Sequence, residues 1–263
     1  MGTAWALANT RLSELPDINT TEVEVEEPSE LGFKTVFEAD GLFYHAARRS
    51  YASAEQHEDV KRVAWRDVTR AKHGFEELER RYEQSTAGYR EALHEIESLE
   101  TRFFNAVGRQ ASDVAATHIF SCSCLEAHII VLAGGALSGK EFDEFDKLTL
   151  RAKWLFLPRI CRLPGFSMGE EPFQSFARTV DRRNKLIHHK KTSANAMLIP
   201  EYLTNLGLDL SAATSSVEVI PQMVTGLADQ FSIETPEWLD ASEGLYFGFE
   251  FSLHKLGSQN TAR

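Results

Sequence analysis

The chain has 263 residues, of which 43% are hydrophobic, 25% charged and 10% aromatic, and its formal net charge is -11. This composition is typical of a folded globular protein and excludes disordered, collagen-like and fibrous-repeat chains. No run approaches the roughly 20 apolar residues of a membrane span, and no leader sequence is recognisable, so we expect a cytoplasmic protein without membrane contact. Cys122, Cys124 and Cys161 have neither a disulfide framework nor zinc-site spacing, and we expect no metal and no cofactor.

The charge is unevenly distributed along the chain. Residues 1–40 and residues 201–263 each have a net charge of -7, whereas residues 41–200 have a net charge of +3. The total charge argues against nucleic acid as a partner, because like charges repel. The slightly basic middle of the chain removes that objection, and RNA stays compatible with the sequence.

The N-terminal part is predicted to contain an arm and a long helical segment. Residues 1–38 are acidic and are predicted to form a flexible arm, with a short strand over Val23–Val25. Residues 39–110 are rich in charge, almost free of Gly and Pro, and carry apolar residues at helical spacing. They predict one long helix, or a helical hairpin broken near Gly88, that serves as a packing arm or a dimer strut.

Residues 111–240 are predicted to form a helical bundle. Ser112 is the expected N-cap of a helix over 112–133 that is apolar nearly all round and therefore lies in the core. Glu126 inside that helix then needs a partner to stay charged. A second helix is expected over 141–157, closed by Pro158.

Three further segments complete the prediction. Pro172, preceded by two acids, is typical of a helix start, and the chain loosens after Lys191. Another helix is expected over 215–230. Residues 241–263 form a C-terminal tail, in which the segment from Leu245 is either a strand or a packed tail. The predicted fold class is therefore all-α, with irregular acidic ends.

The helix from Pro172 has one apolar stripe when it is placed on a helical wheel. Asn184 falls in the middle of that stripe, where an amide must be hydrogen-bonded. Arg183 and His188 fall on opposite shoulders of the same face, about 140° apart, and Arg182 is expected to point into solvent. The stripe consists of Phe173, Phe176, Ala177, Val180 and Ile187.

The segment Arg183-Asn-Lys-Leu-Ile-His188 resembles the Arg-x4-6-His motif of the HEPN superfamily (higher eukaryotes and prokaryotes nucleotide-binding). The surroundings are similar too: an acid at Glu126 in a preceding core helix, then Lys153-Trp154, and Pro172-Phe173 before the motif. The resemblance covers residues 110–195. It implies an all-α bundle, a homodimer whose two motif helices form a composite site, and RNA cleavage without a metal. It also implies a toxin–antitoxin or anti-phage defence role, with an antitoxin or regulatory protein as a further partner.

The residue types in the motif suit phosphodiester cleavage. His188 is expected to move the proton of the attacking or leaving oxygen, because imidazole titrates near neutrality. Arg183 offers a fork of donors to the phosphate. Asn184 is placed to orient His188, and Glu126 is expected to pair with Arg183 and fix its direction.

Two alternatives accompany this hypothesis. The same residues also suit a non-catalytic HEPN-like module for interaction or for nucleotide or RNA binding, with the polar residues as a core network. The stretch Gly134-Gly-Ala-Leu-Ser-Gly-Lys140 imitates a phosphate-binding P-loop. We dismiss it because Glu141 occupies the position of the magnesium ligand and the preceding run reads as the end of a helix.

Overall fold

The computed structural model describes residues 22–24, 34–36, 38–81, 87–188 and 199–241, and within these ranges the protein is predominantly α-helical, as predicted. A small antiparallel sheet precedes the helices, and a 3-10 helix, Glu237–Leu239, follows them. In chain order the elements are β1 (Glu22–Glu24), β2 (Lys34–Val36), α1 (Ala39–Arg81), α2 (Ala87–Ala136), α3 (Gly139–Asp146), α4 (Leu150–Ile160), α5 (Phe173–Ile187), α6 (Ile199–Leu206) and α7 (Leu210–Phe231).

The sheet occupies part of the acidic arm. Glu22 pairs with Val36 and Glu24 pairs with Lys34 in antiparallel register. The predicted strand over Val23–Val25 therefore overlaps β1 and is shifted from it by one residue. The remainder of the arm and the C-terminal segment from Leu245 lie outside the described residues.

Helices α1 and α2 form an antiparallel hairpin. Lys61 Nζ of α1 donates to Gln110 Oε1 of α2 at 2.8 Å. Near the end of α1 and the start of α2, the ring centroids of Phe75 and Tyr89 lie 4.8 Å apart. The absence of proline and the scarcity of glycine favour long helices here, and α1 and α2 have 43 and 50 residues. Helix α1 ends at Arg81 and α2 begins at Ala87, one residue before the predicted break at Gly88, and residues 82–86 lie outside the described residues.

The predicted N-cap at Ser112 is wrong. Ser112 lies inside α2, which continues from Ala87 to Ala136 without interruption. The next residue, Asp113, would be a first-turn acid in the predicted helix, but it accepts a hydrogen bond from Ser53 Oγ of α1 at 2.8 Å. A capping-type residue pair can therefore serve a tertiary contact, which a local pattern does not distinguish from a helix start. The predicted helix ends at residue 133, three residues before Ala136, where α2 ends.

The chain folds into two compact units, each built from segments far apart in sequence. Unit 1 contains the described residues of Met1–His45, Ser123–Gln174 and Ile220–Arg263, and unit 2 contains those of Ala46–Cys122 and Ser175–Val219.

An aromatic and polar cluster marks the core of unit 1. His128 Nδ1 lies 2.9 Å from Asp40 Oδ2, and the His128 ring stacks on Trp154 with centroids 6.2 Å apart. Trp238 meets His128 edge-on, with centroids 5.9 Å apart, and is 1% exposed. Trp154 Nε1 donates to the Leu125 carbonyl at 3.1 Å. His128 Nδ1 and Trp154 Nε1 thus have protein partners inside an apolar core, whereas His128 Nε2 and Trp238 Nε1 are buried without a hydrogen-bond partner among the described residues.

Small side chains bring the helices of unit 2 together. Ala54 of α1, Val114 of α2 and Ala213 of α7 are all fully buried and form one apolar cluster, against which Tyr51 packs. Small residues at such a crossing let helix axes approach closely, so these three positions set the spacing of the helices in this unit.

The region predicted as one helix over 141–157 consists of two helices, α3 and α4. The chain breaks between them because Thr149 caps α4, its Oγ1 accepting from the Ala152 amide at 3.4 Å. Pro158 lies inside the last turn of α4 rather than closing it, and the helix ends at Ile160.

Two of the three C-terminal helices were predicted, and one was not. Helix α5 starts one residue after Pro172, as expected, and α7 contains the predicted helix over 215–230 but starts at Leu210. Helix α6 was not predicted, because its eight residues include Pro200 and give too short a pattern to recognise.

Helix α2 bears on the expectation of no membrane contact. It is long enough and apolar enough to cross a membrane. Its most apolar window of 18 residues has a mean hydropathy of 1.6, and 39% of that window is buried inside the protein. Core helices of soluble proteins pass the same test. The absence of membrane contact therefore stays a prediction.

Candidate functional site

Helix α5 carries the predicted motif and is buried along one side. Phe176 is fully buried, and Phe173 and Val180 are each 4% exposed, which confirms the first part of the predicted apolar stripe. Thr179 is also fully buried, whereas Ile187 is 56% exposed. The buried side is therefore displaced from the predicted stripe toward Thr179, and it fades before the C-terminal end of the helix.

The motif residues lie at the C-terminal end of α5, where burial decreases. Arg183 and Asn184 are partly exposed, and His188 is exposed directly after the last helical residue. The His188 amide donates to the Asn184 carbonyl at 2.9 Å, so a helical hydrogen bond holds the backbone of His188 against the last turn of α5. Asn184 is thus linked to His188 through the backbone, and the expected orienting contact between their side chains stays a prediction.

The expectation that Arg182 points into solvent is wrong. Its Nη1 donates to the Ala212 carbonyl at 3.1 Å, and its side chain packs against Gly207. Gly207 has φ +72°, and a Cβ there would lie 2.9 Å from Arg182 Cγ, so both the turn and the arginine require glycine. The wheel failed because the loop before α7 covers a side of α5 that has no apolar residues to predict it.

A buried polar network holds α5 to α2 and α7 within unit 2. Thr179 Oγ1 of α5 lies 3.1 Å from Ser216 Oγ of α7, and Ser216 Oγ lies 2.8 Å from His118 Nδ1 of α2. His118 Nε2 lies 2.8 Å from the Gly207 carbonyl. These contacts satisfy polar atoms in side chains that are fully buried, so they fix the position of the motif helix.

The buried position of His118 determines its ionisation. Burial lowers the pKa of His118 to about 4, and the charge of Arg182 acts in the same direction, while the Gly207 hydrogen bond and Asp209 oppose it. His118 is therefore neutral near pH 7. His118 was not among the residues predicted from the sequence, although a histidine in a nearly all-apolar helix is a recognisable signal of a buried hydrogen-bonded ring.

Glu126 is less buried than predicted. Its side chain is 43% exposed, and Lys153 Nζ lies 3.5 Å from its Oε1. The buried member of this group is Lys153, only 4% exposed, which also donates to Asp146 Oδ1 at 3.0 Å. Glu126 belongs to unit 1 and Arg183 to unit 2, and their predicted pairing stays a prediction.

The P-loop imitation has a different role in the structure. Its first residues end α2, and Ser138 forms a capping box with Glu141 at the start of α3. Ser138 Oγ donates to Glu141 Oε2 at 2.5 Å, so both side chains serve the helix start instead of a phosphate. Among the described residues, no group of three or more His, Cys, Asp or Glu side chains is placed to hold a metal ion.

Comparisons with protein-family models, with curated proteins and with solved structures find no match. The resemblance to the HEPN superfamily therefore depends on the motif and its helical context alone.

Proposed function

We propose that this protein is a metal-independent endoribonuclease of the HEPN type, in which Arg183 and His188 act on RNA. The observation that supports the proposal is the asymmetry of α5. Thr179 and Arg182 anchor one side of the helix to neighbouring elements of unit 2, while His188 remains exposed at the end of the helix. A site anchored in this way can receive a polymer without rearrangement of its scaffold.

The chemistry needs only groups that this motif contains. The 2′-oxygen of RNA attacks phosphorus, the bond to the 5′-oxygen breaks, and a 2′,3′-cyclic phosphate and a 5′-hydroxyl are formed. His188 accepts the proton of the 2′-hydroxyl or gives a proton to the leaving oxygen. Arg183 donates to the phosphate oxygens as negative charge develops.

The proposal includes a homodimer in the cytoplasm. One His188 supplies one proton-transfer group, whereas cleavage uses an acid and a base, and a second copy of α5 supplies the other. Light scattering of the purified chain should then give twice its mass of 29.6 kDa. If a monomer cleaves RNA, the active site is not formed by two copies of α5, and this part of the proposal is wrong. An antitoxin or regulatory protein is the proposed further partner.

The deciding experiment is cleavage of mixed RNA by purified protein in the presence of EDTA. We expect H188A and R183A each to reduce the rate by about 100-fold or more. Matched controls are H94A, an exposed histidine of α2, and R178A, an exposed arginine of α5, which should both retain activity.

Two results would contradict the proposal. One is RNA cleavage that is equal in wild-type protein and H188A, which would indicate a contaminant. The other is RNA binding without cleavage under any condition, with or without divalent cations, which would indicate the non-catalytic binding module instead.

A further inference from the structure

A cleft lies between α1 and α2 within unit 2, and its lining combines apolar residues, Val60 and Ala106, with polar ones. Its volume is about 410 Å³, and it lies on different helices from the Arg183 motif. His57 lines it from α1, and Ser98, Thr101, Arg102, Asn105 and Arg109 line it from α2. The α2 residues recur at three- and four-residue spacing and so share one face of the helix. A cleft of this volume matches sites for small molecules.

The orientation of His57 is fixed by a carboxylate outside the cleft lining. His57 Nδ1 lies 2.8 Å from Asp113 Oδ2, and Ser53 Oγ donates to the same oxygen at 2.8 Å. Both His57 and Asp113 are about one-quarter exposed. Because Asp113 engages Nδ1, the nitrogen available to a ligand is Nε2, which makes no hydrogen bond to the described residues.

The charge of the cleft is positive. Two of its lining residues are arginines, and none of them is a carboxylate. Arg102 Nη1 reaches Asp67 Oδ2 only at 4.0 Å, and its side chain is 58% exposed. Arg109 is exposed and forms no ion pair with the part of the chain that the structure describes. Both guanidinium groups are thus accessible to an anion at little cost in desolvation.

We propose that this cleft binds the phosphate of a nucleotide-sized ligand. Arg102 and Arg109 hold the phosphate oxygens, His57 Nε2 contacts the same group, and Asp113 is a positioning residue that acts through His57. Two planar guanidinium forks suit the charge and the several oxygens of a phosphate monoester better than those of a single carboxylate. Asn105 and the two hydroxyl residues offer hydrogen bonds to the rest of the ligand.

The test uses the full chain and titration calorimetry with defined probes. The probes are the four nucleoside 5′-monophosphates, the matching nucleosides, inorganic phosphate and a short single-stranded RNA. We expect saturable binding of at least one monophosphate, weaker binding of inorganic phosphate and no binding of nucleosides. If the RNA binds saturably and none of the monophosphates binds, the phosphate recognised by the cleft belongs to RNA.

Variants identify the cleft as the site. R102A and R109A should each weaken binding about tenfold or more and reduce its salt dependence, whereas R90A on the same helix should not. H57Q keeps a nitrogen near the position of Nε2 and should bind better than H57A. For D113N, the nitrogen NMR signals of the His57 ring should change while the fold, checked by circular dichroism, is retained.

The result is independent of the ribonuclease proposal. All titrations are repeated in H188A, so a failure of RNA cleavage leaves the binding measurement intact. The proposal is overturned if no phosphate-bearing probe binds at millimolar concentration, or if R102A, R109A and R90A bind equally well.

Discussion

The imidazole of His118 lies 2.8 Å from Ser216 Oγ and thereby joins α2 to α7 in the interior of unit 2. Thr179 reaches the same hydroxyl from α5. One serine thus connects three helices, including the one that carries the motif. A network of this kind is strong only while every member has its partner, because a buried polar atom that loses its partner keeps its desolvation cost.

The first prediction concerns Ser216 and Thr179. S216A should lower the free energy of unfolding by about 1–3 kcal/mol, because it leaves His118 Nδ1 and Thr179 Oγ1 with fewer partners. T179V should cost less on the S216A background than alone, since both variants break the same contact. Urea unfolding measures both effects. S215A, which removes only a bond to the Ser211 carbonyl, is the control and should stay within about 0.5 kcal/mol. If the losses in unfolding free energy of S216A and T179V simply add in the double variant, the two residues do not share a network.

The second prediction concerns acid stability. The folded-state pKa of His118 is about 4, below its usual 6.5, so between these values the unfolded chain binds a proton that the folded protein does not. Stability should therefore fall as the pH is lowered from about 6.5 to about 4, by up to about 1.4 kcal/mol per pH unit from this group. H118Q should be less stable near neutrality but should lose this part of the slope. Equal slopes in wild-type protein and H118Q would refute the assignment.

The third prediction concerns stability as the pH rises from about 4.5 to about 8, and it has the opposite sign. Burial raises the pKa of Glu38 to about 8, with repulsion from Asp40 and Glu237 adding to it. Between about 4.5 and 8 the folded protein holds a proton that the unfolded chain has lost, so stability falls as the pH rises through this window. E38Q should abolish this decline and should be the more stable protein at pH 8 and above.

Thermal unfolding across the pH range measures the effect of E38Q. E234Q changes an exposed acid in the same unit and should follow the wild-type profile. An E38Q profile parallel to that of wild-type protein would show that Glu38 does not titrate in the expected window.

The fourth prediction concerns the buried ammonium of Lys153. D146N should cost about 1–2 kcal/mol, because it removes the nearer of two carboxylates from a buried charge. E126Q should cost less than about 0.5 kcal/mol, since that contact is 3.5 Å long and Glu126 is half-exposed. K153M should stay within about 1 kcal/mol of wild type, because both acids can be hydrated when the lysine is removed.

Denaturant unfolding ranks these three variants, and K153M as the least stable of them would contradict the argument. The stability of E126Q also allows the role of Glu126 in the candidate site to be tested. Because E126Q is expected to fold normally, a loss of RNA cleavage in that variant would support the predicted action of Glu126 through Arg183, and normal cleavage would assign Glu126 to Lys153 alone.

Local sequence signals predicted the helices well where they had distinct ends. The proline at position 172 placed the start of α5 to within one residue, and the predicted break at Gly88 lies one residue after the start of α2. The same signals failed at Ser112, because Ser and Asp side chains make tertiary hydrogen bonds as readily as caps. They also failed at Thr149, where a true cap was hidden inside an apolar pattern that continued across it.

The site was less predictable than the helices. A helical wheel finds an apolar side, and it placed Phe176 and Val180 correctly. It cannot find a side that is covered through hydrogen bonds, and Thr179 and Arg182 are buried or covered in that way. The packing of a glycine turn against the Arg182 side chain depends on residues 25 positions and more along the chain, which no local pattern contains.

The fully buried cluster of Ala54, Val114 and Ala213 has a consequence for synthesis of the protein. The α1–α2 hairpin leaves the ribosome before α7, and translation adds about 5–20 residues per second. The surface formed by Ala54 and Val114 therefore stays open to water, and to chaperones, for on the order of ten seconds until Ala213 arrives. Slower translation of the segment between α2 and α7 should prolong this exposure and increase the fraction of nascent chains that aggregate.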